Sequence, residues 1–352
     1  HTYVSDIYAS RHEPNVVYAA FDNRKRDDFK PYLLKSTDKG ESWEPITNGL
    51  PENGTVHAIE QDFKNPDLLF AGTEFGIFFS NNQGKKWVQL KNGIPTIAVR
   101  DIDIQEREQD LILATFGRGF YILDNYAPLR SLDQELTNQK AHLFDIPEAR
   151  MYIQKRGMYG QGSTYYTGEN PTYGSVFTYY LKETPKTREQ LRREKEKELF
   201  EQGKPIPQPS WKEQREEEQE VSPYLIFTVY DEQGNVVRKM TEKPSKGIHR
   251  LAWDFRYENP NPVEAEEDKF NPYEEDRSGI LAMPGTYQVS IDLYHHGEIR
   301  QLVEKTNFKV RQLENTSLPA PDKQEMLNFQ EKVADLTRTM VGASRMSAKM
   351  ME

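Results

Sequence analysis

The chain has 352 residues, enough for about two domains, with 36% hydrophobic and 29% charged residues and a net charge of −10. The acidic balance argues against general binding to nucleic acid, which needs a Lys/Arg excess, and no apolar run approaches the roughly 18–20 residues of a membrane span. With no cysteine, disulfides, thiolate metal sites and cysteine nucleophiles are excluded.

The aromatic share of 11%, with 21 Gly and 21 Pro, suits many short strands joined by turns. The sequence opens on His1 without a signal peptide, and the reading is of a processed or cut piece of something longer.

The first 130 residues repeat themselves. Val4-Ser5-Asp6-Ile7, Val56-His57-Ala58-Ile59 and Val99-Arg100-Asp101-Ile102 correspond, at spacings of 52 and 43 residues. Each is followed by a second apolar run (Val16-Val17-Tyr18-Ala19, Leu68-Leu69-Phe70-Ala71, Leu111-Ile112-Leu113-Ala114) and a third (Tyr32-Leu33-Leu34, Ile77-Phe78-Phe79, Phe120-Tyr121-Ile122). The first two copies add a short strand from Trp43 and Trp87. Four short strands per unit of about 40–50 residues is the pattern of a propeller blade. A blade cannot bury both faces alone, and a ring takes roughly 4–8 blades. Two blades and most of a third are present, so further blades are expected upstream or from another chain.

Ser36-Thr37-Asp38-Lys39-Gly40-Glu41-Ser42-Trp43 fits S-x-D-x-G-x-x-W at every fixed position, and Ser80-Asn81-Asn82-Gln83-Gly84-Lys85-Lys86-Trp87 fits with Asn82 for Asp. The Asp or Asn side chain accepts backbone N–H bonds inside the turn, Gly40 and Gly84 take left-handed backbone, and Trp43 and Trp87 are expected to plug the gaps between sheets. The expected role of these residues is structural. On these matches, residues 1–130 resemble the last blades of the Asp-box (BNR) propeller superfamily, which includes sialidases, xyloglucanase-type glycoside hydrolases and the sortilin-type receptor propeller. Asn53-Gly54-Thr55-Val56-His57, Ala71-Gly72-Thr73-Glu74-Phe75-Gly76 and Ala114-Thr115-Phe116-Gly117-Arg118-Gly119 through Asp124 are similar to a group of large secreted proteins of Bacteroidota, labelled glycosyl hydrolase or sortilin-like. The resemblance implies a secreted, periplasmic or cell-surface protein, with the outer membrane as one setting. It also implies the missing blades as partners, and a surface or secretion-complex protein or a glycan as possible ligands. It does not supply an activity.

Residues 131–175 read as an irregular Tyr- and Gly-rich connector, with Met158-Tyr159-Gly160-Gln161-Gly162 packing on the propeller or offering a sugar-stacking surface. A β-domain over 176–315 follows, with strands expected at 176–182, 224–230, 236–240, 247–255, 285–294 and 307–311. His249-Arg250-Leu251-Ala252-Trp253-Asp254 and Met283-Pro284-Gly285-Thr286-Tyr287 resemble pieces of a flagellar-hook-cap-type immunoglobulin-like module, which implies a β-sandwich with Trp253 and Tyr287 in its core. A charged helical insertion at 184–220 is broken by Pro205, Pro207 and Pro209. An acidic loop at 258–278 could hold Ca²⁺ but lacks regular Asp-x-Asp spacing. Otherwise no metal or cofactor is expected. The segment 316–352 reads as helix with a stripe of Met326, Phe329, Val333, Leu336 and Met340 that must pack on something. The fold class is therefore mainly β: a partial β-propeller, an immunoglobulin-like sandwich and a C-terminal helix.

Propeller ligands bind where innermost strands converge. Repeat equivalence aligns Ser5, His57 and Arg100, and more loosely Asp22, Glu74 and Arg118, so Asp6, Asp22, His57, Glu74, Arg100 and Arg118 are expected near one rim. The charge-dense loop 22–30 is expected beside that opening or simply exposed. Asp22 with Glu74 is the candidate catalytic pair for glycoside hydrolysis, which needs two carboxylates about 5–9.5 Å apart. A sialidase needs a third arginine beyond Arg100 and Arg118, and a Tyr nucleophile that is not identifiable. No phosphate-binding Gly loop, G-x-S-x-G or H-E-x-x-H occurs. The favoured reading is a binding or structural module for protein, peptide or glycan. The alternative is an Asp-box glycoside hydrolase.

Overall fold

The computed structural model describes residues 2–152, 154, 168, 170–262, 279–313 and 322–351. The Tyr/Gly-rich run 158–166 and most of the acidic loop, 263–278, lie outside the described residues. The chain divides into two compact units, His1–Thr137 and Asn138–Glu352.

In the first unit three antiparallel meanders follow one another. Blade 1 is β1 (Tyr3–Ala9), β2 (Val17–Asp22), β3 (Tyr32–Ser36) and β4 (Glu44–Pro45). Blade 2 is β5 (Val56–Gln61), β6 (Leu69–Thr73), β7 (Gly76–Ser80) and β8 (Val88–Leu90). Blade 3 has three strands, β9 (Val99–Gln105), β10 (Asp110–Thr115) and β11 (Phe120–Leu123). Each strand pairs with its sequence neighbour, as a propeller blade requires.

Strand alternation sends one side chain set to each sheet face. Tyr18, Ala20, Leu33, Val56, Ile59, Leu69, Phe78 and Trp87 fill the space between blades 1 and 2. Ala58, Phe70, Ile77, Phe79, Ile102 and Leu113 fill that between blades 2 and 3. Every residue of β5, β6 and β7 is consequently buried. The outward faces differ: Ile7 of β1 and Phe120 and Ile122 of β11 are exposed.

Both tryptophan turns have the expected internal bonding. Ser36 Oγ accepts from Gly40 N at 2.8 Å and donates to Asp38 Oδ1 at 2.7 Å, and Asp38 Oδ1 accepts from Ser42 N at 2.9 Å. Ser80, Asn82, Gly84 and Lys86 repeat this at 2.8–2.9 Å. The tryptophans part company. Trp87 is 3% exposed and its Nε1 donates to Ile46 O of blade 1 at 2.6 Å. Trp43 is 39% exposed and donates to Gly40 O of its own turn. The plug expected at Trp43 is therefore half open, because no described sheet covers that face.

The second unit opens after a short helix α1 (Gln134–Asn138). A three-stranded sheet of β12 (Ala141–Leu143), β14 (Ser175–Leu181) and β17 (Gly247–Trp253) packs on a five-stranded one. The second sheet comprises β13 (Ala149–Met151), β15 (Tyr224–Tyr230), β16 (Val236–Glu242), β18 (Gly285–His295) and β19 (Glu298–Gln312). The shared core contains Phe177, Tyr179, Trp253, Phe227, Val289 and Phe308. Trp253 is fully buried and meets Tyr287 edge to face, with ring centroids 5.0 Å apart. The stretch expected to be irregular contributes β12, antiparallel to β14, and β13, parallel to β19. Three-residue strands are too short to show a period in sequence. The strand expected at 307–311 is the end of the longer β19.

The charged insertion forms α2 (Arg188–Glu201) and α3 (Trp211–Glu218), each with a capping box, from Thr187 and Ser210. Arg192 joins them, bonding Glu217 at 2.7 Å. The last helix, α4 (Lys323–Met351), buries Leu327, and Arg338 and Arg345 donate to the carbonyls of Pro260 and Pro262. The stripe from Met326 to Met340, expected to pack on this domain or on a partner, is exposed in this chain.

Candidate functional site

The innermost strands β1, β5 and β9 share an irregularity that the sequence does not display. In β1 the pairing with β2 skips from Val4 to Asp6, in β5 it skips from Val56 to Ala58, and in β9 from Val99 to Asp101. The extra residues are Ser5, His57 and Arg100, the three repeat equivalents. A β-bulge bends its strand and re-aims the extra side chain. All three line one cleft of about 750 Å³, together with Tyr3, Asp22, Asn23, Arg24, Lys25 and Arg26.

A charged cluster stands in this cleft. Asp22 ends β2, and the turn Arg24–Arg26 folds straight back over it. Asp22 Oδ1 accepts from Arg24 N at 2.9 Å, and Asp22 Oδ2 from Arg24 Nη2 at 2.8 Å. The same guanidinium donates through Nη1 to Glu74 Oε2 at 2.9 Å. Glu74 lies in the tight β6–β7 turn, where Glu74 N donates to Thr55 O. Burial pushes the Asp22 carboxyl up, but the bonds and charge of Arg24 outweigh it and hold Asp22 below its ordinary value. The two carboxylates are thus bridged by one arginine.

His57 is buried, and its Nε2 lies 2.8 Å from Glu74 Oε2. Burial lowers its pKa, as do Arg100 and Arg24, against the pull of Glu74. The ring is therefore neutral with its proton on Nε2, because a carboxylate only accepts. Arg100 Nη1 is 3.2 Å from both ring nitrogens. An in-plane approach at equal distance would run into Cε1, so the guanidinium stands over the ring face. Its Cζ also lies 5.3 Å from the centroid of the exposed Phe116 ring, a cation–π distance.

Two expected rim residues stand elsewhere. Asp6 lies on β1, and its Oδ2 accepts from Ile59 N of β5 at 2.8 Å. It serves as a pin between blades, and burial, with Asp101 nearby, raises its pKa. Arg118 is exposed in the turn between β10 and β11 and is not among the lining residues.

Sequence reading missed the bridging role of Arg24, although its loop was singled out for charge. It also missed a buried knot beside blade 2. Asp62 is fully buried, bonds Arg130 and Tyr126, and accepts from Lys64 N and Asn65 N. Burial raises the Asp62 pKa, yet these donors outweigh it and hold it low. Asp62 followed by Asn65-Pro66-Asp67 was legible as a turn; its arginine, 68 residues later, was not.

No protein-family model matches the chain, and no curated protein matches it. Among solved structures, an ancestral GH74 enzyme is similar over 33% of this chain and 14% of its own, at 26% identity and TM-score 0.28. The GH74 xyloglucanase from Xanthomonas campestris is similar at 10% identity over 34% and 21%, TM-score 0.28. The extracellular domain of a hybrid two-component system from B. thetaiotaomicron is similar at 10% identity over 88% and 32%, TM-score 0.29. The chain thus spans a third or less of the length of these structures. At such TM-scores none carries an argument about ligand or activity, and the fold description rests on the strand pairing of this chain.

Proposed function

We propose that the chain is a binding module of an exported bacterial propeller protein, and that the cleft at the bulged inner strands is its ligand seat. The observation that carries this is the repeated bulge: three separate strands place their extra residue, Ser5, His57 and Arg100, in the same cleft. In this reading the tryptophan turns are Asp-box struts of a sortilin-like propeller. Further blades, from the same precursor or another chain, cover the exposed faces of blades 1 and 3. The second unit is an immunoglobulin-like spacer in a cell-surface or secretion assembly. The ligand is a glycan, peptide or protein, and no cofactor takes part.

The hydrolase reading fares worse on chemistry. A glycosidase acid must hold its proton near neutrality, so its pKa is raised. Asp22 lies below its ordinary value, and it shares the Arg24 guanidinium with Glu74. A glycan array combined with reducing-sugar release on plant and algal polysaccharides separates the two. Binding without release, weakened by Tyr3→Ala, is expected. Release that disappears in Asp22→Asn or Glu74→Gln overturns the proposal in favour of the hydrolase.

A further inference from the structure

The charge inventory of the cleft goes one step further and rests on the reading of that cleft as the ligand seat. The protein is acidic overall, at −10, yet Arg24, Lys25, Arg26 and Arg100 line this cleft with one carboxylate, Asp22, and Glu74 joins them through Arg24. Arg24 satisfies both carboxylates. Arg100 reaches Glu74 only at 3.9 Å and spends its near contacts on the His57 ring. Among the described residues Lys25 and Arg26 have no carboxylate partner. His57 takes up part of the hydrogen-bonding capacity of Glu74. Crowded like charges raise the energy of the empty cleft, and an anion relieves it.

One other feature selects among anions. Tyr3 lines the cleft with a ring that is 70% exposed, a flat apolar surface of the kind a pyranose face covers. We infer that the cleft takes an acidic saccharide. Its carboxylate lies against Arg100, Lys25 and Arg26, and its ring lies on Tyr3.

The test is calorimetric titration of the whole chain with trigalacturonate, its neutral methyl ester, triglutamate and inorganic sulfate. Trigalacturonate is expected to bind, with an affinity that falls as salt is raised. The double variant Lys25→Gln/Arg26→Gln lies on an exposed turn and leaves folding intact. It and Arg100→Gln are each expected to weaken binding about tenfold, the worth of one charge-assisted hydrogen bond. Equal binding of the methyl ester overturns the inference while leaving the cleft a ligand seat, the more so if Tyr3→Ala abolishes it. Tighter binding of triglutamate overturns it in favour of an acidic peptide. Sulfate competing as strongly as trigalacturonate means an oxyanion hole without saccharide selection, and also overturns it. Absence of binding by every probe sinks the inference, and the glycan array then decides separately on the cleft.

Discussion

Blade 2 and its two neighbours are copies of one repeat, yet they occupy different physical situations. Blade 2 is covered on both faces, and its three inner strands are buried throughout. Blades 1 and 3 are covered on one face only: β11 alternates between exposed and half-buried positions, and β1 mixes the two with no buried residue. A repeat fixes strand order and turn chemistry, but what a side chain stabilises depends on what stands opposite it. Trp43 and Trp87 make the point: one motif, two environments.

The sharpest way to break this comparison is to truncate both tryptophans. Trp87→Ala removes a closed plug and is expected to cost about 3–5 kcal/mol. Trp43→Ala, on the open face, costs about 1 kcal/mol. Equal losses in chemical denaturation would mean that Trp43 is covered in solution.

The knot behind blade 2 gives a loss of the same order. Arg130→Ala strands the buried Asp62 and is expected to cost about 3–5 kcal/mol. Because the folded-state pKa of Asp62 is depressed, its contribution is present above its ordinary value of 3.8 and is lost as pH falls through the lower folded value. Asp62→Asn should flatten that acid limb, read as the denaturation midpoint against pH.

Glu60 behaves oppositely. Burial, with Asp103 and Asp6 near, pushes its carboxyl up to about 7 despite Tyr8 and Arg11. A raised pKa contributes stability below the unfolded value of 4.5 that is lost as pH rises through 7. Glu60→Gln should therefore abolish a decline in stability between those values, and an unchanged slope would mean that the enclosure of β5 is looser than described.

A finer contrast lies in the two turn glycines. Gly40 (φ 93°) and Gly84 (φ 82°) both sit in the left-handed region, where an alanine costs about 1–2 kcal/mol. A Cβ on Gly84 would also stand 2.8 Å from Ile46 Cδ1, whereas on Gly40 it meets Trp43 at an ordinary 3.5 Å. Gly84→Ala should therefore be the more damaging by about 1 kcal/mol or more, measured by thermal unfolding.

Much of the first unit was legible in the chain itself. The spacing of Val4, Val56 and Val99, the alternation within each run and the paired S-x-[DN]-x-G-x-x-W turns determine the blades, because strand period and turn geometry are local properties. The same repeat alignment picked out Ser5, His57 and Arg100 as equivalents. What only the tertiary structure decided is everything that depends on a distant partner. This includes the bulges that turn those three residues into one cleft and the single guanidinium of Arg24 serving Asp22 and Glu74. It also includes the diversion of Asp6 to pin Ile59, the exposure of Arg118, and the pairing of Asp62 with Arg130. In the second unit β12 and β13 belong to this class as well, being strands only because β14 and β19 offer free edges. Local sequence selects backbone shape. Charge pairing and burial are set by chain segments tens of residues away, which no period or motif encodes.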